Sequence, residues 1–306
     1  MDMKLGLQSA ILADYSFEEV MAFAGKQGFA CVELMSWPKG GAERRYAGVT
    51  HVDANALDEA TIAHIHQTAK DHKVEISGLG YYPNPMDPDL EKRAIYIEHL
   101  KKVITAAGKL GLEVVNTFIG RDPAKSVDES FEMFKEIWPP IIKHAEACNV
   151  KIAIENCPML FTMDEWPGGK NLATTPAIWR RMFEEIPSDY FGLNYDPSHL
   201  LWMQMDYIAP IYEFGHKFFH VHIKDAKVFK DKLDEVGIMA TPLEYHKPKL
   251  PGLGDIEWGK FISALTDIGY NGACCLEVED KAFEDSMEDI QKSIFISKRF
   301  MEQYMI

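Results

Sequence analysis

Four side chains stand where metal or proton chemistry would need them. Glu155, Asp196, His222 and Glu277 each close a short β-prone run in the second half of the chain. A buried carboxylate is costly unless it is paired or bound to a cation, so four such groups at the ends of four successive runs point to one shared charge partner. Alternation along each run gives them a common direction. Ala153 and Glu155 share one face, while Ile152 and Ile154 take the other. Asn194 and Asp196 share a face, as do Ala273, Cys275 and Glu277 with Leu276 opposite. His220 and His222 point the same way, with His222 nearer the end of its run; His220 reads as an interior residue rather than a ligand. Three carboxylates and one imidazole make a hard, oxygen-rich set that suits Mn²⁺ first, with Mg²⁺, Co²⁺ or Zn²⁺ as alternatives. Further polar or aromatic residues at run ends are Glu33, Tyr81, Tyr82, Asn116, Asn156, His199, Lys224, Asp225, Glu279 and Asp280.

The elements that must position these residues read as strands alternating with helices. Strands are expected at 4–7, 30–33, 74–78, 114–118, 151–155, 191–196, 218–222 and 273–277. Between them, Ile97, Leu100, Ile104 and Ala107 form one apolar helical stripe, and Phe131, Phe134, Trp138, Ile141 and Ala145 form another. Ser16 ahead of Glu18 and Glu19 marks a helix start, and Gly28 follows that helix's end. This rhythm predicts an α/β fold, a (β/α)8 TIM barrel, with residues 1–306 as one domain and longer loops near 36–56, 158–175 and 226–256. An open doubly wound sheet would want a glycine fingerprint after the first strand, and Gln8-Ser9-Ala10 is not one. Barrels of this type carry their sites at the C-terminal ends of the strands, where the residues above fall.

Composition narrows the partners. The chain of 306 residues carries 32 basic and 47 acidic side chains, a formal charge of −15. Such a surface repels phosphate backbones and anionic membranes, so neither nucleic acid nor membrane is expected as a partner. No run of eighteen apolar residues exists, and the first seven residues lack the order of a signal peptide. Five cysteines, with Cys274 and Cys275 adjacent and no CxxC pair, argue against a disulfide framework or a zinc knuckle. The expectation is a reduced, cytoplasmic enzyme; association of like chains stays open, with no interface to name.

The chain resembles the sugar phosphate isomerase/epimerase superfamily of xylose-isomerase-like barrels. The matching pieces are Ile154-Glu155-Asn156, Asp196-Pro197-Ser198-His199, the run from His220 to Asp225, Pro251-Gly252-Leu253-Gly254 and the run from Leu276 to Asp280. They cover the C-terminal half; the N-terminal half matches in its β–α rhythm only. The resemblance implies that Glu155, Asp196, His222 and Glu277 hold one divalent metal, which binds two neighbouring oxygens of a carbohydrate substrate. It also implies that Glu155 and Glu277 move the protons. The chemistry is coherent: a cation on a carbonyl and its adjacent hydroxyl acidifies the α C–H, and proton removal leaves an enediolate. Re-protonation at the neighbouring carbon isomerises the sugar, and re-protonation from the opposite face epimerises it. His199, Lys224, Asp225, Asn116 and Tyr81 are the expected substrate contacts, with Tyr82, Trp37 and Trp166 as further aromatic candidates for the pocket wall. The ketose 3-epimerases of this superfamily carry a glutamate six residues after the first metal glutamate and an arginine six after the metal histidine; Phe161 and Val228 stand there in this chain. A dehydratase on the same scaffold, resembling inosose dehydratases, shares the first proton abstraction and remains the alternative. An apurinic-site endonuclease fits less well, because strands two to four end without histidine and the charge is wrong for DNA. A non-catalytic binding protein on this barrel stays as the last alternative.

Overall fold

In the computed structural model, which describes residues 3–40, 46–160 and 169–305, eight parallel strands close into a barrel. The strands in chain order are β1 (Lys4–Gln8), β2 (Cys31–Met35), β3 (Glu75–Gly80), β4 (Val114–Thr117), β5 (Lys151–Glu155), β6 (Phe191–Tyr195), β7 (Phe218–Ile223), β8 (Asp225–Val228), β9 (His246–Lys249) and β10 (Ala273–Leu276). The first seven and β10 form the barrel, closed by pairing of β1 with β10; β8 and β9 form a separate antiparallel hairpin. The helices are α1 (Phe17–Gln27), α2 (Glu59–His72), α3 (Leu90–Lys109), α4 (Val127–Ala147), α5 (Pro176–Glu185), α6 (Pro197–Trp202), α7 (Ala209–Phe214), α8 (Lys230–Val236), α9 (Trp258–Asp267) and α10 (Met287–Met301). This is a (β/α)8 TIM barrel.

Local chemistry explains the element ends. Ser16 and Glu19 form a reciprocal capping box at α1, and Gly28 closes that helix in the left-handed region. Ser126 and Glu129 repeat the box at α4. Ile152, Ile154, Leu193, Tyr195, Val221, Ile223 and Leu276 are fully buried. They alternate with the barrel-facing residues, so they turn to the helix layer, where Phe134 and Trp138 of α4 pack on Phe191 of β6. Two ladder irregularities bear on the interior. The register of β2 against β3 shifts between Val32 and Glu33, and that of β6 against β7 shifts between Leu193 and Asn194. The second shift sets His220 opposite Asn194, so both β7 histidines face inward.

The region expected as a long loop at 226–256 is instead built: it holds β8, α8 and β9. Alternation in β8 and β9 is short and mostly polar, so it carried no strand signal. The run at 74–78 extends to Gly80, because Leu79 and Gly80 continue the pairing with β2 and β4.

Two histidines outside the rim cluster predict how stability follows pH. Burial pushes His246 down to about 4 from its ordinary 6.5, opposed by its bond to the Pro242 carbonyl, and His51 is shifted downward by burial too. As pH falls below 6.5 the unfolded chain takes up the His246 proton while the fold refuses it. Stability therefore drops between 6.5 and 4, by about 2 kcal/mol at pH 5 relative to pH 8 for His246. Urea unfolding at the two pH values checks this. His246→Gln should shrink the difference, and an unchanged difference would remove His246 as its source.

Candidate functional site

The four residues singled out by their positions meet at one end of the barrel. Glu155 ends β5, Asp196 follows β6, His222 lies near the end of β7 and Glu277 follows β10. One ligand atom from each lies within 4.8 Å of the others. Asp196, His222 and Glu155 are buried, and the Glu277 side chain is 12% exposed. His222 Nδ1 lies 3.0 Å from Glu277 Oε2 and 3.9 Å from Glu155 Oε2. Yet Asp196 Oδ2, His222 Nδ1 and Glu277 Oε2 make no hydrogen bond among the described residues, although all three are buried. Buried polar atoms are rarely left so. Asp196 Oδ2 lies 3.1 Å from His199 Nε2 and His222 Nδ1 lies 3.0 Å from Glu277 Oε2, but neither approach has hydrogen-bond geometry, and three such buried atoms facing one another fit a divalent cation. The residues present thus suit the metal that the resemblance implies.

Two of the four, Asp196 and Glu155, are held from behind. Asp196 caps α6: its Oδ1 accepts from Ser198 N at 2.8 Å, which leaves Oδ2 for the cluster. Asn156 ties the ends of β5 and β6 together by accepting from Asp196 N and donating to Asp196 O, both at 2.8 Å. Asn171 donates to the Glu155 carbonyl at 2.8 Å and accepts from Ile119 N and Gly120 N. Sequence reasoning gave Asn171 no role and Asn156 none beyond its place in the motif. An asparagine in a loop carries no periodicity to mark it.

The charges are mutually dependent. Burial works against the Glu155 carboxylate, but the neighbouring His199 and His222 rings and the nearby Lys224 more than offset it and hold it well below the ordinary range. Glu277 goes the other way: burial, reinforced by Glu155, raises it against the pull of Lys224 and His222. Burial opposes the charged form of His222, yet Glu33, Glu155 and Glu277 raise it well above an ordinary imidazole.

The expected substrate contacts separate into groups. His199 is buried with Nε2 3.3 Å from Glu155 Oε1 and 3.1 Å from Asp196 Oδ2. Lys224 is buried with Nζ 3.2 Å from Glu277 Oε1 and 3.0 Å from Glu279 Oε2. Asn116 is fully buried and pairs in register with Gly80 and with Ala153 of the inward face; neither its Oδ1 nor its Nδ2 has a partner among the described residues. His199 and Lys224 lie against the cluster, and Asn116 stands on the inward face of the barrel. Asp225 and Tyr81 are engaged elsewhere. Asp225 Oδ1 accepts from Ala226 N and Ile256 N, and Oδ2 from Gly252 N and Trp258 Nε1. All four acceptor positions are taken, so Asp225 anchors the loop around Gly252. The Tyr81 ring packs edge-on between Trp37, at 4.9 Å, and His99, at 4.7 Å. Gly80 faces the barrel interior, so alternation turns Tyr81 outward and Tyr82 inward, where the Tyr82 hydroxyl lies 3.5 Å from His222 Nε2. Phe161 and Trp166 lie outside the described residues. His220, as expected of an interior residue, bonds to Asn194 Oδ1 at 3.1 Å and to Ser77 Oγ at 3.2 Å. No helix of the described residues is long and apolar enough to cross a membrane.

Known proteins share this architecture. A protein of Bacillus subtilis strain 168, uncharacterized protein YfiH, is 28% identical over 313 residues, spanning 91% of this chain and 93% of that one. Among solved structures, the D-psicose 3-epimerase of Clostridium cellulolyticum H10 superposes with a TM-score of 0.71 at 16% identity, covering 99% of each chain. An IolI protein with a bound zinc atom gives 0.73 at 19% identity over 99% of this chain and 98% of that one. The probable 3-DHS dehydratase AsbF of Bacillus anthracis gives 0.68 at 17% identity over 95% and 98%. At these identities the likeness establishes the fold. The family model described as a xylose isomerase-like TIM barrel matches residues 21–299, and the chain belongs to that family.

Proposed function

We propose that the protein is a divalent-metal-dependent enzyme that isomerises or epimerises a sugar, keto-sugar or sugar derivative. The observation that carries this reading is the set of three orphaned buried atoms, Asp196 Oδ2, His222 Nδ1 and Glu277 Oε2, gathered with Glu155 at the C-terminal rim of the barrel. The relatives support it by name: a D-psicose 3-epimerase, a zinc-bound IolI protein and a probable dehydratase share the fold. A divalent cation held by Glu155, Asp196, His222 and Glu277 supplies charge that makes the hydrogen next to a carbonyl acidic. The chain's own groups do the rest. Glu155 and Glu277 stand on different strands around the site, so one takes the proton and the other, protonated beforehand, gives its own to the neighbouring carbon or the opposite face. His199 and Lys224 present N–H donors at the edge of the cluster and orient substrate hydroxyls. Asn116, with both ends of its amide free, reads a further hydroxyl.

A second reading, elimination of a β-hydroxyl from the same enediolate, is favoured by Lys224. A buried ammonium between Glu277 and Glu279 is a third proton-bearing group, suited to a departing hydroxide. Phe161 and Val228, which replace the glutamate and arginine of the ketose 3-epimerases, also weigh against a free ketose as substrate.

The test is metal analysis of the purified protein followed by incubation in D₂O with sugars, keto-sugars, inososes and their phosphates. Solvent deuterium at a carbon next to a carbonyl is the expected result. Asp196→Ala should lose bound metal, and His199→Ala should keep most metal affinity but slow exchange about tenfold or more. A parent protein that binds no divalent metal would overturn the reading.

A further inference from the structure

Behind the metal-facing side of His222 lies a second acidic residue that the proposed reaction does not use. Glu33, at the irregularity of β2 against β3, is fully buried. Its Oε2 lies 2.7 Å from His222 Nε2, and its Oε1 accepts from the Tyr82 hydroxyl at 2.5 Å. The barrel has made room for it: a Cβ at Gly80 would fall 2.5 Å from Glu33 Oε1 and 2.3 Å from the Met35 methyl. An unpaired carboxylate at this depth would be costly, and the surrounding partners meet the cost.

We infer that Glu33 is a positioning residue that fixes the tautomer and the aim of His222, and so sets how tightly the site holds its cation. An imidazole offers a metal one lone pair, and which nitrogen carries it depends on where the other is hydrogen-bonded. Glu33 Oε2 is an obligate acceptor, so the Nε2 proton is held there and Nδ1 is the nitrogen available to a cation. Nδ1 is the atom that faces Glu155 and Glu277. The Tyr82 hydroxyl holds the second oxygen of Glu33 and stops the carboxylate from rotating. Asn194, 3.0 Å from His222 Nε2 through its amide nitrogen, flanks the same edge and is itself held by His220 Nδ1. With Nε2 protonated, the Asn194 amide donates to the Tyr82 hydroxyl at 3.4 Å instead. Glu33 is not one of the four residues gathered at Glu155, Asp196, His222 and Glu277, and its contact with that group is through His222.

This inference rests on the metal reading above, and the test keeps the two apart. Metal-free parent, Glu33→Gln, Glu33→Leu and Tyr82→Phe proteins are titrated with Co²⁺, and affinity and the visible ligand-field spectrum are recorded. Glu33→Leu removes the acceptor and should weaken Co²⁺ binding by roughly 10- to 100-fold, with an altered spectrum. Glu33→Gln keeps a carbonyl acceptor for Nε2–H and should recover part of that loss. Tyr82→Phe should weaken binding less than Glu33→Leu. Parent affinity and an unchanged spectrum in Glu33→Leu would overturn the inference and leave the metal reading standing. Equal losses in Gln and Leu variants would overturn it too, because the hydrogen bond would then not be the cause. Should Glu33→Leu fail to fold, parent-like binding by both Glu33→Gln and Tyr82→Phe would count against it, and graded loss in the two would support it. A parent that binds no Co²⁺ would defeat the metal reading itself.

Discussion

Glu155→Gln and Glu277→Gln are each expected to lose on the order of 10²- to 10⁴-fold in the rate of solvent exchange at the substrate carbon while keeping measurable metal. Glutamine preserves shape and one acceptor oxygen but takes no proton, so it separates ligation from proton transfer. The two losses should differ in kind. Glu155 lies between His199 and His222, whereas Glu277 shares Lys224 with Glu279, so the carboxylates approach a bound sugar from different strands. In an epimerase, the variant lacking the abstracting group should block exchange from one epimer and partly spare the other. In a dehydratase, the variant lacking the acid should still exchange but no longer eliminate. Mass spectrometry of substrate recovered from D₂O reads both. If each variant carries metal and exchanges near the parent rate, the glutamates only hold the ion, and the base must be sought at His199 or Lys224.

The largest effect on stability is expected at Asp225. Its carboxylate accepts four N–H groups, from Gly252, Ala226, Ile256 and the Trp258 indole, at 2.8–3.1 Å. Asp225→Ala strands these donors together, at about 1–3 kcal/mol for each that water cannot reach, so a loss of about 3–5 kcal/mol is expected. Gly254 belongs to the same knot: a Cβ there would sit 2.1 Å from Asp225 Oδ1, so Gly254→Ala should destabilise as well. Denaturant titration of the metal-free proteins measures both. Asp225→Asn retains one acceptor and should fall in between. A stable Asp225→Asn protein with intact metal binding and lost turnover would instead return Asp225 to the substrate.

Much of the site was legible because it sits on regular structure. Period-two alternation in β5 and β6 is enough to put Glu155 and Asn194 on one face, and a strand end is easy to find. The resemblance added the metal and the sugar. Asp225 and Tyr81 are engaged away from the cluster for local reasons. Tyr81 and Tyr82 are adjacent, and only the inward turn of Gly80 decides which of them enters the barrel. Asp225 follows Lys224 in the same motif, yet β8 begins there and turns its side chain onto a loop more than twenty residues away in sequence. The relation of Glu33 to His222 joins residues 189 apart across the barrel, and no spacing rule reaches that far. The signal was nonetheless present: a glutamate inside the apolar run Cys31-Val32-Glu33-Leu34-Met35 has to find a buried partner.

Among the described residues the hairpin of β8 and β9 shares no ladder with the barrel, although it begins three residues beyond the proposed metal histidine. It is attached through the Asp225 knot and through His246, whose ring stacks on Trp202 of α6 at 4.7 Å. Barrel register therefore does not depend on its sequence or length. A lineage of such proteins could exchange this appendage without renegotiating the eight strands that hold the rim cluster. Substrate range is then free to drift quickly on a chemically constant base, and a transplanted hairpin that keeps the Asp225 and His246 attachments is the unit in which that drift would be inherited.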